Sequence, residues 1–232
     1  MAGMPLVLVP GFMCDARLFA PQIAELSRRR TVQVANVAGQ ASIEDMARSV
    51  LLSAPLRFVL AGLSMGGMVA MAMLDQAPER IAGVALLDTD PRAEPPRVVA
   101  RRYGQMRRVR EGGLRAVMSE EIMPYYVPAG PGRAGILELC LDMALGLGPE
   151  VFLRQAEALR DRPDFQTVLA AWRGPTLVLS GAEDAMCPLE RHELMHRVIP
   201  GSRLEVIAGT GHLPTLERPE ITTTALEAWL DA

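Results

Sequence analysis

A chain of 232 residues, half of them hydrophobic, is long enough to bury a sizeable core as one α/β domain with an insertion; its formal charge of −3 gives no electrostatic reason to expect nucleic acid or an anionic membrane as partner. All 24 positive side chains are arginine, which excludes chemistry that needs a lysine Schiff base or a Walker lysine. Cys14, Cys140 and Cys187 are odd in number, far apart and without C-x-x-C spacing, so neither a disulfide framework nor a zinc site is indicated, and a reducing compartment fits.

Leu6-Val7-Leu8-Val9 is a continuous apolar run between Pro5 and Pro10-Gly11, as expected of a strand buried on both faces of a parallel sheet. It is too short for a signal h-region or a membrane span, so a soluble, cytoplasmic protein is expected. Residues 16–28 carry Leu18, Phe19, Ile23 and Leu26 on helical spacing, with Asp15 as a plausible N-cap. Residues 31–35 alternate weakly as a second strand, and Ser42 and Asp45 open another helix in nearly capping-box spacing. Residues 56–60 are strand-like, 68–74 are apolar and helix-forming, and 81–88 form another buried strand. From 89 to about 163 no strand-like run occurs, while helical stretches such as 97–110 and 136–145 alternate with Pro/Gly-rich breaks. The pattern predicts a core of residues 1–90 and 164–232 and a helical cap of residues 91–163. Strands return at 176–180 and 203–207, with helices at 189–198 and from about 219 to 230. Such strand–helix alternation indicates a mostly parallel sheet flanked by helices.

The stretch Gly62-Leu63-Ser64-Met65-Gly66 lies between a strand and a helix, the context a nucleophile elbow requires. There a strained turn lifts the serine Oγ clear of the sheet, and side chains two positions either side would collide. A serine hydroxyl needs a base. His192 and His196 lie four apart in a helix without an H-E-x-x-H arrangement and read as a solvated helix face. His212, in the loop Gly209-Thr210-Gly211-His212, follows the last strand, at the end of the sheet where catalytic groups collect. Asp184, after the strand 176–180, is the chosen acid to orient it; Glu183 would point elsewhere, and Asp88 or Asp90 is an alternative acid position. The backbone N–H groups of Phe12 and Met65 are the expected oxyanion donors.

These four segments together, the elbow, Pro10-Gly11-Phe12, Gly181-Ala182-Glu183-Asp184 with Pro188, and Gly209-Thr210-Gly211-His212, resemble the α/β-hydrolase fold superfamily over nearly the whole chain except the cap. The resemblance implies Ser64 as nucleophile, Asp184 as acid, His212 as base, and Phe12 and Met65 as oxyanion amides, with no cofactor or metal. Within the superfamily the layout is similar to small capped esterases, including carboxylesterases and acyl-carrier methyl esterases. Two departures stand out. Many relatives have His-Gly where this chain has Pro10-Gly11, and the antiparallel strands that usually open the fold are missing, since the first parallel strand begins at Leu6.

A serine nucleophile argues against epoxide-hydrolase and dehalogenase relatives, which use aspartate. The expected reaction is hydrolysis of a carboxylic ester, lactone or thioester of a small, largely apolar acyl group, with Met123, Tyr125 and Tyr126 as candidate pocket residues. Carbon–carbon cleavage, elimination, perhydrolysis or slow-turnover ligand binding on the same triad are the alternatives. Residues 92–115 hold eight arginines against two glutamates, Glu94 and Glu111, so an anionic substrate or an acidic carrier protein is a candidate partner for that face.

Overall fold

The computed structural model describes Met1 and residues 3–231. The chain runs β1 (Leu6–Val9), a 3-10 turn at Ala16–Phe19 into α1 (Ala20–Leu26), β2 (Val32–Val34), α2 (Ile43–Ser53), β3 (Phe58–Leu63), α3 (Met65–Gln76) and β4 (Ile81–Leu87). Next come α4 (Pro96–Arg110), the short α5 (Leu114–Ala116) continued by a π-turn at Val117–Ile122, α6 (Arg133–Leu147) and α7 (Pro149–Arg160). After α8 (Gln166–Ala171) the chain returns to the sheet with β5 (Thr176–Gly181), α9 (Leu189–Val198), β6 (Arg203–Ile207), α10 (Pro214–Glu217) and α11 (Pro219–Asp231). No described helix is long and apolar enough to cross a membrane.

The six strands form one sheet in the order β2-β1-β3-β4-β5-β6, and all five pairings are parallel. Every residue of β1, β3 and β5 is buried, which is why their sequences are dominated by continuous apolar residues. Parallel strands need crossovers, and right-handed crossovers from β1 outwards in both directions place helices on both faces. α1 packs with α11 in one layer, while α2, α3, α8 and α9 form the other. β2 and β3 flank β1 on opposite sides, so the winding reverses between β1 and β3 and a crevice opens at their carboxyl ends.

Local chemistry sets the element boundaries. Ser42 Oγ accepts from the Asp45 amide at 3.1 Å, capping α2 as expected. The helix expected over 16–28 is divided: Asp15 caps the 3-10 turn by accepting from the Arg17 amide at 2.9 Å, and Pro21, which has no N–H to donate, sits at the start of α1. The strand expected at 56–60 starts instead at Phe58 and continues to Leu63. The carbonyls of Leu51, Ala54, Pro55 and Leu56 accept from the Arg80 guanidinium, which holds that stretch out of the ladder. α3 is buried on all sides from Met65 to Leu74, between sheet and helical layer, as its Met, Ala and Gly composition allows.

α9 has the expected boundaries, but the solvated face expected for both histidines holds only for His196. His192 is fully buried, and its Nε2 accepts from the Thr89 amide at 3.2 Å. That amide lies just beyond β4, without a ladder partner, and a buried N–H requires an acceptor. His196 is the exposed member of the pair, with Nδ1 2.9 Å from Ser202 Oγ.

Candidate active site

Ser64 follows the last residue of β3 and opens α3, with φ 56° and ψ −118°. A non-glycine residue in such a conformation stores about 1–3 kcal/mol of strain. Space around it is minimal: a Cβ on Gly62 would run into the Gly66 carbonyl, and one on Gly66 would run into that of Val9. The turn is held by the Ser64 amide donating to Leu87 O at 2.9 Å and by Thr89 Oγ1 donating to Ser64 O at 2.7 Å. Met13 and Asp88 are the other described non-glycine residues with positive φ, and they too lie just past strand ends on this side of the sheet.

His212 comes from the loop after β6 and Asp184 from the loop after β5. His212 Nε2 lies 2.9 Å from Ser64 Oγ, and His212 Nδ1 lies 2.8 Å from Asp184 Oδ2. Both side chains are almost completely buried. Asp184 Oδ1 also accepts from the Met186 and Cys187 amides at 2.8 and 3.0 Å. Burial by itself would raise this carboxyl. The neighbouring imidazole and the two amides outweigh burial and bring its pKa down to about 2.

The alternative acids stand elsewhere. Glu183 is exposed. Asp90 is engaged with Arg92 at 2.9 Å and Arg191 at 3.2 Å. Asp88 is fully buried near Asp184, where its Oδ1 accepts from the Gly181 amide at 2.8 Å. Burial and the nearby Asp184 charge push its pKa far above the usual carboxylate range. It is a neutral acid beside an ionised one. Cys187 brings a third donor atom within 4.8 Å of those on Asp184 and His212, but burial keeps it a thiol, and the two nearest candidate ligand atoms already bond each other.

The sequence does not single out Glu217 or Gln155, nor the support that Tyr126, expected as a pocket residue, gives His212. Glu217, in α10, accepts from the amides of both neighbours of His212, Gly211 and Leu213, each at 2.8 Å. A carboxylate four residues after the N-cap Leu213, reaching back towards it, is the available signal, displaced by one from a capping box. The His212 amide donates to Tyr126 O at 2.7 Å, and the Tyr126 ring stacks on the imidazole at 5.8 Å. Gln155 of α7 accepts from the Met13 amide at 2.8 Å and donates to Val37 O at 3.2 Å, which ties down the loop carrying Phe12. Contacts spanning 142 and 118 residues leave no trace in local sequence.

Among the described residues, neither the Phe12 nor the Met65 amide donates to another group of the chain. Met65 N–H sits at the first position of α3, where the helix offers it no acceptor. Phe12 lies after β1, across the winding reversal from Ser64, with its ring edge-on to Phe152 at 5.1 Å.

Ser64, His212, Phe12, Tyr125 and Tyr126 open onto a cavity of about 390 Å³. Met123, expected beside the tyrosines, is buried and borders a separate hollow with Arg133 and Leu141. The tight turn at Met123–Tyr125 advances about 120° per residue, which points Met123 away from Tyr125, while Tyr126 lies beyond the turn and is held against His212 by its carbonyl and its ring. The cavity is also more polar than the methionines and leucines of the helical segment suggest. Glu94 on its wall binds Arg102 at 2.6 Å and Arg162 at 2.7 Å, and Asp90 binds Arg191. The eight arginines of residues 92–115 therefore do not form one solvated face. Some are internal ion-pair partners, Arg97 and Arg101 line the cavity, and others face solvent.

A family model described as alpha/beta hydrolase family matches residues 6–225. The chain is 28% identical over 182 residues to a putative carbamate hydrolase RutD of Klebsiella pneumoniae, covering 76% of this chain and 66% of that one, just under two thirds of that relative's length. It is 25% identical over 214 residues to a pimeloyl-[acyl-carrier protein] methyl ester esterase of Aromatoleum aromaticum, covering 80% of this chain and 79% of that one. Among solved structures, the malate-bound thermophilic esterase from Thermogutta terrifontis superposes with a TM-score of 0.90 at 35% identity, over 99% of this chain and 90% of that one. With the parallel sheet, the strained serine turn and a family model spanning almost its whole length, the chain belongs to the alpha/beta hydrolase family of enzymes.

Proposed function

We propose that this chain is a serine hydrolase that cleaves a small carboxylic ester, lactone or thioester through an acyl-enzyme. The observation that carries the reading is the unbroken chain of contacts Asp184 Oδ2, His212 Nδ1, His212 Nε2, Ser64 Oγ, at 2.8 and 2.9 Å. His212 Nε2 removes the hydroxyl proton as Ser64 Oγ attacks the carbonyl carbon. The ionised Asp184 holds the Nδ1–H tautomer and stabilises the imidazolium. The Phe12 and Met65 amides receive the oxyanion, a role supported by their lack of other acceptors among the described residues. Collapse of the intermediate sends the proton from His212 to the leaving oxygen or sulfur, and the acyl group stays on Ser64. Water then attacks the acyl-enzyme with His212 as base, releasing the acid and restoring the serine. The helical segment 91–163 acts in this reading as a cap over the core formed by residues 1–90 and 164–232, a role supported by the cavity wall it supplies through Glu94, Tyr125 and Tyr126.

Hydrolysis of short 4-nitrophenyl esters, in parallel with fluorophosphonate labelling, tests the reading. The native protein turns over the esters and labels at Ser64. Ser64→Ala loses labelling and roughly four to six orders of magnitude in kcat. Equal turnover by both proteins would refute it.

A further inference from the structure

The charges around the cavity do not cancel. Each buried carboxylate on its wall is shared by two guanidiniums: Glu94 by Arg102 and Arg162, Asp90 by Arg92 and Arg191. Each such cluster keeps one positive charge. Glu121, the third carboxylate of the wall, shares Arg108 with Glu120, so that cluster keeps one negative charge, which the two positive clusters outweigh. Arg97 and Arg101 also line the cavity, and among the described residues neither has an ion-pair or hydrogen-bond partner for its guanidinium. They lie four residues apart on α4, so they share one face of the helix. A positive wall in a protein of formal charge −3 is a local feature, not a consequence of overall composition.

Two unpaired guanidinium forks on one helix face suit a planar carboxylate, which each can bind through two parallel N–H···O contacts. They open into the same cavity as Ser64, and a space of about 390 Å³ holds one small molecule. The anionic group therefore belongs to the molecule that carries the scissile carbonyl. We propose that the substrate is a small ester or lactone bearing a second, free carboxylate, which Arg97 and Arg101 hold while Ser64 attacks the acyl carbon. This rests on the serine-hydrolase reading and deepens it by naming the substrate class. Arg107 and Arg110, further along α4, are exposed and do not line the cavity, so they contribute to long-range attraction but not to holding the carboxylate.

The test compares 4-nitrophenyl hydrogen glutarate, which carries one carboxylate, with 4-nitrophenyl pentanoate, its neutral counterpart of equal chain length. The quantity read is the ratio of their kcat/KM values for the native protein and for the Arg97→Gln/Arg101→Gln variant. Both side chains are exposed, so the variant is expected to fold, and its melting temperature checks this. The native ratio favours the glutarate ester, and the variant lowers it about 10- to 100-fold, chiefly through KM. Raising the salt to 0.5 M lowers the native ratio as well. A second arm measures binding of free glutarate by calorimetry, which the native protein shows and the variant loses. Ser64-dependent turnover with an unchanged ratio overturns the carboxylate subsite and leaves the hydrolase reading standing. Loss of glutarate binding in the variant, with no turnover of either ester by the native protein, overturns the hydrolase reading and leaves the subsite. A variant defective only on a carrier-protein-linked ester, with the small-ester ratio intact, also overturns the subsite.

Discussion

At the scale of single residues, two aspartates stand side by side behind one histidine and differ in protonation. Asp184 accepts from His212 and two amides and stays ionised, whereas Asp88, fully buried and facing that charge, keeps its proton. Substitution by asparagine separates their roles. Asp184→Asn removes the charge that stabilises the imidazolium and favours the wrong tautomer, so kcat falls roughly ten-thousandfold. Asn at position 88 still accepts from the Gly181 amide through its carbonyl oxygen and offers N–H donors where the acid offered O–H, so Asp88→Asn keeps kcat within about tenfold. Steady-state kinetics of the two variants on one ester checks this. A larger loss in Asp88→Asn than in Asp184→Asn would reverse the assignment of the acid.

At the scale of elements, the site is assembled from strand ends and then fixed by hydrogen bonds from helices behind it. α10 does this most directly, because Glu217 holds the loop on both sides of His212. Glu217→Ala leaves the Gly211 and Leu213 amides without their acceptor, a loss of about 1–3 kcal/mol in unfolding free energy. It also lets the imidazole drift from Ser64, lowering kcat roughly 10- to 100-fold with little change in KM. Urea unfolding and kinetics on the same preparation measure both effects, and Glu217→Gln, which keeps an acceptor oxygen, recovers part of each. If stability falls with kcat unchanged, the glutamate supports the fold and not the geometry of the base.

At the scale of the whole molecule, His192 links β4 to α9 from inside, and its burial makes global stability depend on pH. Burial brings its pKa down to about 4, so it is neutral in the folded chain. The unfolded chain takes up this proton first, at the ordinary histidine value of about 6.5. Stability from the neutral form is therefore complete above that value and declines as pH falls towards 4, by roughly 3 kcal/mol. Asp184 adds its own loss only lower, as pH falls from the usual carboxylate range towards about 2. Asp88, whose pKa burial raises, works in the opposite direction over part of this interval, so the His192 contribution is read from denaturant midpoints of the native protein against His192→Gln across pH 7 to 4. The Gln carbonyl oxygen can still accept from the Thr89 amide, and the variant loses less stability than the native protein as pH falls. An equal loss in both proteins would assign the pH dependence to other groups.

The sequence by itself determined the elements and the chemistry-bearing turns. An apolar run such as Leu6–Val9, cut short by Pro5 and Pro10-Gly11, is too short for a buried helix and reads as a strand covered on both faces, and glycines flanking Ser64 are needed because two backbones pass where a Cβ would sit. Such constraints act over a few residues, so they can be read locally. Tertiary structure alone decided what crosses the fold. The helical periodicity of α9 does not reveal which face is covered, and the acceptor demand of Thr89, 103 residues away, is what His192 meets. Density of arginine in residues 92–115 gives charge but not pairing. Only packing tied Arg102 and Arg162 to Glu94, and left Arg97 and Arg101 facing the cavity, because the partners of a guanidinium are set by distance in space and not along the chain.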